Sequence, residues 1–436
     1  MKRRGTVMRA LCGLGVLLVL GLSSTGNSVA SPNLGTLFVS STEGNSVTRI
    51  NLDTLASQTF TGFPSAEGIA CGTDGRVYLA LSGVSGHTPR RIVRFKQDGT
   101  GLETVLDFAS TPALANTGAP DGLSFALIKQ DDGRLVPGGE LFFNTRASQG
   151  NLHTGVWKLP AVGTTPVQVI LPFAGEEGNG EATAFLTTGP FAGHLLAADF
   201  LNGRILRRAP PFNSSLAADE FITGLFEPSG VAIKPNAPDA GQIFVSERST
   251  TNIKGFASDG KLVGPHDGFF VQTGLEQRKI GFDDAGNLYV ATISGPVLRY
   301  TPPSTTQSII GTVLDGNGVT VCPARIPATI DVLPGTFPNR INIKSTGVIP
   351  VAILSTPYYD APSRVNQHTV RFGPTGTEAI IDGLCKSEDV NHDGVLDLLC
   401  RFRIQDAKFK LGDTVARIRW GNQDFEGLAA VVVVSE

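Results

Sequence analysis

A single short unit, a β-rich pair of strands around an Asp-Gly turn, recurs along most of this 436-residue chain and narrows its possible folds more than any other feature. Its clearest copy is Glu67–Ala80, EGIACGTDGRVYLA, read as strands Gly68–Cys71 and Arg76–Ala80 joined through Thr73-Asp74-Gly75. Gly tolerates the positive φ that tight hairpin turns demand, so Asp-Gly between β-rich runs is a hairpin signal. Versions of the second strand return at Thr36–Ser40, Glu140–Asn144, His194–Ala198, Gln242–Ser246 and Asn287–Ala291. Each is followed by a third strand mixing apolar and basic residues, such as Ser46–Ile50, Arg91–Phe95 and Pro296–Tyr300. A unit this small cannot bury its own core, and repetition implies stacking into a propeller or solenoid.

Six second strands imply six blades of four antiparallel strands, an arrangement with only short, protected edges. The first blade lacks an innermost strand of its own, because Thr36–Ser40 already occupies the second place. Asn317–Cys322, NGVTVC, is the candidate to fill it and close the ring from the other end. The alternatives are that this segment is linker, that a seventh blade has decayed, or that the repeats form a solenoid. The alternation of Gly-apolar, turn and apolar-aromatic-apolar-Ala from about Asn33 to Asp315 resembles the NHL and SMP-30/gluconolactonase group of six-bladed propellers.

Composition supports an all-β chain: Gly (52) and Pro (27) are plentiful, and no long stretch shows a helical period. Net charge is −3 with 17% charged residues, which excludes a broad electrostatic surface for nucleic acid or anionic lipid. Residues 1–30 read as an export signal: Lys2, Arg3, Arg4 and Arg9, an apolar run from Leu11 to Leu22, then Ser28-Val29-Ala30 at a cleavage site. The run is short for a membrane span, so the mature chain is expected to be secreted or otherwise extracytoplasmic. Of five cysteines, four follow that segment in a disulfide-permissive compartment. Cys385 and Cys400 flank a turn around Asp393 and are expected to pair. Cys71 and Cys322 end adjacent inner strands, and either a ring-closing disulfide or two buried thiols fits the pattern.

The expected layout is therefore a propeller over 31–322 and a smaller β-sandwich over 323–436. In the latter, Ile330–Leu354, IDVLPGTFPNRINIKSTGVIPVAIL, resembles the opening of a C-terminal module found on exported bacterial proteins. Strands are expected at Val348–Leu354, Thr369–Phe372, Val395–Phe402 and Ala429–Val434. Inside the module, Asp389–Asp397, DVNHDGVLD, places oxygen donors at loop positions one, three, five and nine and Gly394 at six. That spacing suits Ca²⁺, with Asp389, Asn391, Asp393, the Val395 carbonyl and Asp397 as ligands. Position twelve is Cys400, not the Glu of an EF-hand, so the loop would sit in a hairpin. His392 is read as solvated, because calcium prefers oxygen.

A second candidate site is the mouth of the propeller. The residues expected just before the inner strands are Glu67, Asp121, Glu181, Ser229, Arg278 or Lys279, and Asn317. Glu67, Asp121 and Glu181 from consecutive blades would raise one another's pKa unless a cation neutralised them. Lactonases of the SMP-30 group hold calcium in such a mouth through an early Glu-Gly, which Glu67-Gly68 resembles. The later blades carry no matching Asn and Asp ligand motifs. Signatures of other chemistries are missing: no Gly-x-Ser-x-Gly elbow in the mature chain, no His-Glu-x-x-His, no phosphate-cradling glycine loop opening a helix. Trp157 and Trp420 are read as packing residues. Two functions remain: an exported binding or scaffold protein with an unidentified extracellular ligand, or a calcium-dependent lactone or ester hydrolase using Glu67, Asp121 and Glu181. A sugar-oxidising quinoprotein is a weaker third, for want of a visible cofactor-binding set.

Overall fold

The computed structural model describes residues 35–436 apart from 84–89, 130–134, 147–153, 160–164, 171–179, 237–238, 264–268, 324–325, 356–359 and 422–424. The export segment, 1–30, lies outside the described residues. Among those residues, no helix is long and apolar enough to cross a membrane. Residues 33–436 form one compact unit.

Six four-stranded antiparallel sheets make up the first part of that unit. Blade two shows the local logic. Ala66–Cys71 and Arg76–Leu81 pair with Cys71 opposite Val77, and Gly75 turns between them at φ 75°. Arg91–Lys96 and Glu103–Asp107 complete the sheet. The second strand of a blade is deeply buried: in Leu195–Asp199, Ile243–Glu247 and Leu288–Thr292 every residue is buried. Its side chains point alternately to the neighbouring blades on either side. Thus Phe143 packs with Tyr78 and Phe108 of blade two, while Phe142 meets Phe185 of blade four edge-on at 5.0 Å. Blade-to-blade packing is thus an apolar continuum, and no blade stands alone.

Ring closure is made by the last propeller strand. Gly316–Cys322 pairs antiparallel with Thr36–Ser41, Cys322 opposite Thr36 and Val319 opposite Val39, and takes the innermost place of blade one. Cys322 and Cys71 form a disulfide between adjacent inner strands, fastening the closing strand to blade two. The seven-bladed and solenoid alternatives are thereby set aside.

Beyond Cys322, the described strands form a five-stranded sheet, a four-stranded sheet and a parallel pair, Arg340–Asn342 with Val432–Val434, around one shared core. Phe372, Ile418 and Trp420 come from the first sheet, Val351 and Phe402 from the second. Trp420 and Trp157 are both buried, in keeping with a packing role. Three of the expected strands differ in their bounds: the one read as Thr369–Phe372 is Arg371–Gly373, because Gln367–Thr369 forms a 3-10 turn. The strand read as starting at Val395 starts at Asp397, because Val395 and Leu396 stay exposed in the preceding loop. The run Ala429–Val434 is divided between Phe425–Ala430 and Val432–Val434, which pair with different partners. Cys385 and Cys400 form the expected disulfide across the hairpin.

Candidate functional site

The inner strands begin earlier than the repeat suggests, and this shapes the mouth. Glu67, Asp121 and Glu181 lie inside strands Ala66–Cys71, Ala119–Lys129 and Gly180–Phe185, not before them. At each of these places the ladder slips register: between Ala66 and Ile69, Pro120 and Leu123, and Gly180 and Thr183. The same slip occurs between Pro228 and Gly230 and between Gln277 and Ile280. A bulge re-aims the side chain it carries, and here it supplies one polar residue per inner strand to a common space.

That space is filled by the protein's own charges. Lys279 of blade six reaches Asp121 of blade three at 2.6 Å and Glu181 of blade four at 3.6 Å. Blades three and six face each other in a six-membered ring, so this ion pair crosses the axis. Lys279 Nζ also donates to Asn317 Oδ1 at 2.9 Å, and the Asn317 amide donates to the Glu67 carboxylate. Arg146, from the second strand of blade three, donates to Glu67 Oε1 at 2.6 Å and stands 3.7 Å from Asp121. Ser82 Oγ adds a third donor to Glu67 at 3.1 Å. All three carboxylates are at most 2% exposed.

Backbone contact narrows the same end. A Cβ on Gly68 would lie 2.1 Å from the Asp121 carbonyl oxygen, and one on Gly318 would lie 2.4 Å from that of Glu67. Neighbouring inner strands therefore touch main chain to main chain where only glycine fits. The mouth expected to serve as a recognition surface is a plug.

Among the described residues, three carboxylates against one lysine and one arginine leave an excess of one negative charge if every group is ionised. Burial, with the nearby Asp121 charge, pushes Glu181 up to about 7 despite Lys279. Burial likewise raises Glu67, opposed first by the Arg146 guanidinium. As it stands, the cluster does not fit a resident divalent ion: an ammonium and a guanidinium occupy the positions from which such an ion would neutralise these carboxylates. The repeat left this rim position open between Arg278 and Lys279, and it is Lys279 that reaches the carboxylates. Arg146 was not, because it belongs to a second strand and reaches the axis only through the length of its side chain.

At the opposite end, the inner strands splay around a chamber of about 570 Å³. All six contribute: Ile69–Thr73, Leu123–Phe125, Thr183–Phe185, Val231–Ile233, Ile280–Phe282 and Val319–Val321. Ala328, Thr329, Glu426 and Leu428 of the C-terminal module form a further wall. The lining is mainly aliphatic and aromatic. A hydrogen-bonded pair, Ser124 and Thr183 (2.8 Å), and scattered threonines supply polar points. Its size is that of a small-molecule pocket. In sequence these residues read as ordinary core, and only their position at the far end of six successive inner strands could have marked them.

The third location is the loop Asp389–Asp397, which is exposed over 391–396. Asp389 accepts the Asp393 and Gly394 N–H groups at 3.1 Å each, and Asp393 accepts the Val395 N–H at 2.8 Å. Asp397 is fully buried; it accepts Ser355 N at 2.8 Å and Val390 N at 3.0 Å, and burial raises its carboxyl. Gly394 turns at φ 87° and His392 is exposed at φ 59°. Among the described residues, no three His, Cys, Asp or Glu side chains are drawn together as a ready metal site. The oxygen-only donor set suits calcium in kind, since an ionised carboxylate keeps acceptor sites beyond its backbone bonds.

No protein-family model and no curated protein matches the chain. Among solved structures, the chain is similar to a gluconolactonase from Xanthomonas campestris at 18% identity, covering 59% of this chain and 79% of that one, with a TM-score of 0.44. A calcium-binding regucalcin from Agrobacterium tumefaciens is 12% identical, over 60% and 83%, with a TM-score of 0.42. The apo form of a soluble aldose sugar dehydrogenase from Escherichia coli is 16% identical, over 57% and 87%, with a TM-score of 0.40. At such values these neighbours say nothing about the chemistry of this chain.

Proposed function

We propose that this chain is an exported small-molecule-binding protein that takes its ligand in the apolar chamber at the far end of the propeller axis. The observation that carries this reading is the chamber itself, about 570 Å³ and lined by all six inner strands. The ion-paired plug at the other end would leave one way in. The module from 323 onward would act as an accessory wall and, through the 389–397 loop, as a calcium-stabilised element. Asp389, Asn391, Asp393, the Val395 carbonyl and Asp397 would hold the ion, whose role would be to tie down the loop. The neutral fluorophore N-phenyl-1-naphthylamine tests the binding reading. Gly281 lines the chamber, and a Cβ there would have 3.4 Å to its nearest neighbour. Gly281→Phe should abolish the fluorescence rise seen with the wild type while leaving the melting temperature within a few degrees. An undiminished rise would reject the chamber as the site.

A second reading, hydrolysis of lactones or related esters, draws on the convergence of Glu67, Asp121 and Glu181. A carboxyl with a pKa of about 7 matches the working range of a general base. Hydrolysis of a lactone panel that Glu181→Gln abolishes, with or without added calcium, would support it. A panel without turnover would leave binding as the function.

A further inference from the structure

The chamber's charges limit the kind of ligand it accepts. Asp284 and Glu426 both line it, and no Lys, Arg or His appears among its described lining residues. Glu426 is already matched, with Arg419 Nη2 2.6 Å away. Asp283, next to Asp284, is engaged by the Asn287 amide at 2.7 Å and the Tyr289 hydroxyl at 2.9 Å. Asp284 has no cationic partner among the described residues; the protein crowded around it, with the negative charges of Asp283 and Glu426, raises its carboxyl. Its side chain nonetheless keeps an accessible surface on the chamber wall.

The rest of the wall is mainly apolar and includes Phe125, Phe185 and Phe282, which would pack against an apolar body.

We infer that the chamber binds a cationic amphiphile, an apolar body with one ammonium group seated against Asp284. This rests on the chamber reading above and adds the class of ligand to it. An ammonium supplies the positive charge missing at Asp284 and donates hydrogen bonds, whereas a carboxylate ligand would meet two acidic side chains and no compensating cation.

Isothermal titration with octylammonium, 1-octanol and octanoate, each below its aggregation concentration, separates head group from body. The wild type should bind octylammonium at least tenfold more tightly than octanol, with octanoate weakest. Asp284→Asn should erase the preference and leave octanol affinity unchanged. Equal affinity for the amine and the alcohol, or a preference that survives Asp284→Asn, would overturn the head-group inference while the chamber reading stood. If none of the three binds, or if Gly281→Phe binds all three as the wild type does, the chamber reading itself fails.

Discussion

Replacing Glu181 by Gln should stabilise the protein, and only above mildly acidic pH. The buried cluster holds three carboxylates, Glu67, Asp121 and Glu181, against two cations, Arg146 and Lys279. Burial and the Asp121 charge push the Glu181 carboxyl from 4.5 to about 7 although Lys279 is near. An acid whose folded pKa lies above its unfolded value binds more protons in the native state over that interval, so native stability falls as pH rises from 4.5 to 7. At 1.36 kcal/mol per unit, the loss reaches up to about 3 kcal/mol above pH 7. Glutamine keeps the shape and cannot ionise. The variant should therefore match the wild type near pH 4.5 and exceed it by up to about 3 kcal/mol at pH 8, a rise of roughly 4 °C in melting temperature for a unit this large. Scanning calorimetry of both proteins at pH 4.5, 6 and 8 measures the difference. A variant less stable than the wild type at pH 8 would refute the reasoning, because the ionised Glu181 would then stabilise the fold through its partners by more than its burial costs.

Other expectations follow from the same geometry. Lys279→Met leaves Asp121 and Glu181 buried opposite no ammonium and should cost about 3–5 kcal/mol at pH 8; a loss below 1 kcal/mol in urea titrations would argue against the axial ion pair. The Cys71–Cys322 disulfide spans 251 residues and closes the ring. Removing it with Ala at both positions should cost up to about 5 kcal/mol by chain entropy, with hydrogen exchange fastest along Gly316–Cys322; unchanged exchange there would contradict its fastening role. For the calcium loop, Asp389→Ala with Asp393→Ala should lower the melting temperature in calcium and leave the chelated protein unchanged. Equal destabilisation in both conditions would remove the ion from the account.

What could be read from sequence was what repeats locally. A buried second strand and an Asp-Gly turn recur because every blade meets the same packing demand, and the missing first inner strand pointed to closure by Asn317–Cys322, as observed. The polar residues of the rim were also visible, since each holds the same place in its repeat. The state of that rim was not. Whether Glu67, Asp121 and Glu181 face a metal, water or protein cations depends on Lys279 reaching across the ring and Arg146 reaching inward, relations set by closure of the fold. The bulges that turn these side chains inward leave no mark except the small residues Gly68, Gly122 and Gly230 beside them. The chamber was hidden for another reason. Phe125, Phe185 and Phe282 have the composition of core residues, and only the splay of the strands gives them a cavity to face.

The claim at the centre of this account is a ligand in the far chamber, and a crystal structure with a bromine-tagged alkylammonium tests it most directly. The account predicts an anomalous peak within the chamber between Phe125, Phe185 and Phe282, with the amine toward Asp284. A peak at the Glu67–Asp121–Glu181 end, with Lys279 displaced, would contradict it and return the charged mouth to first place as the working site.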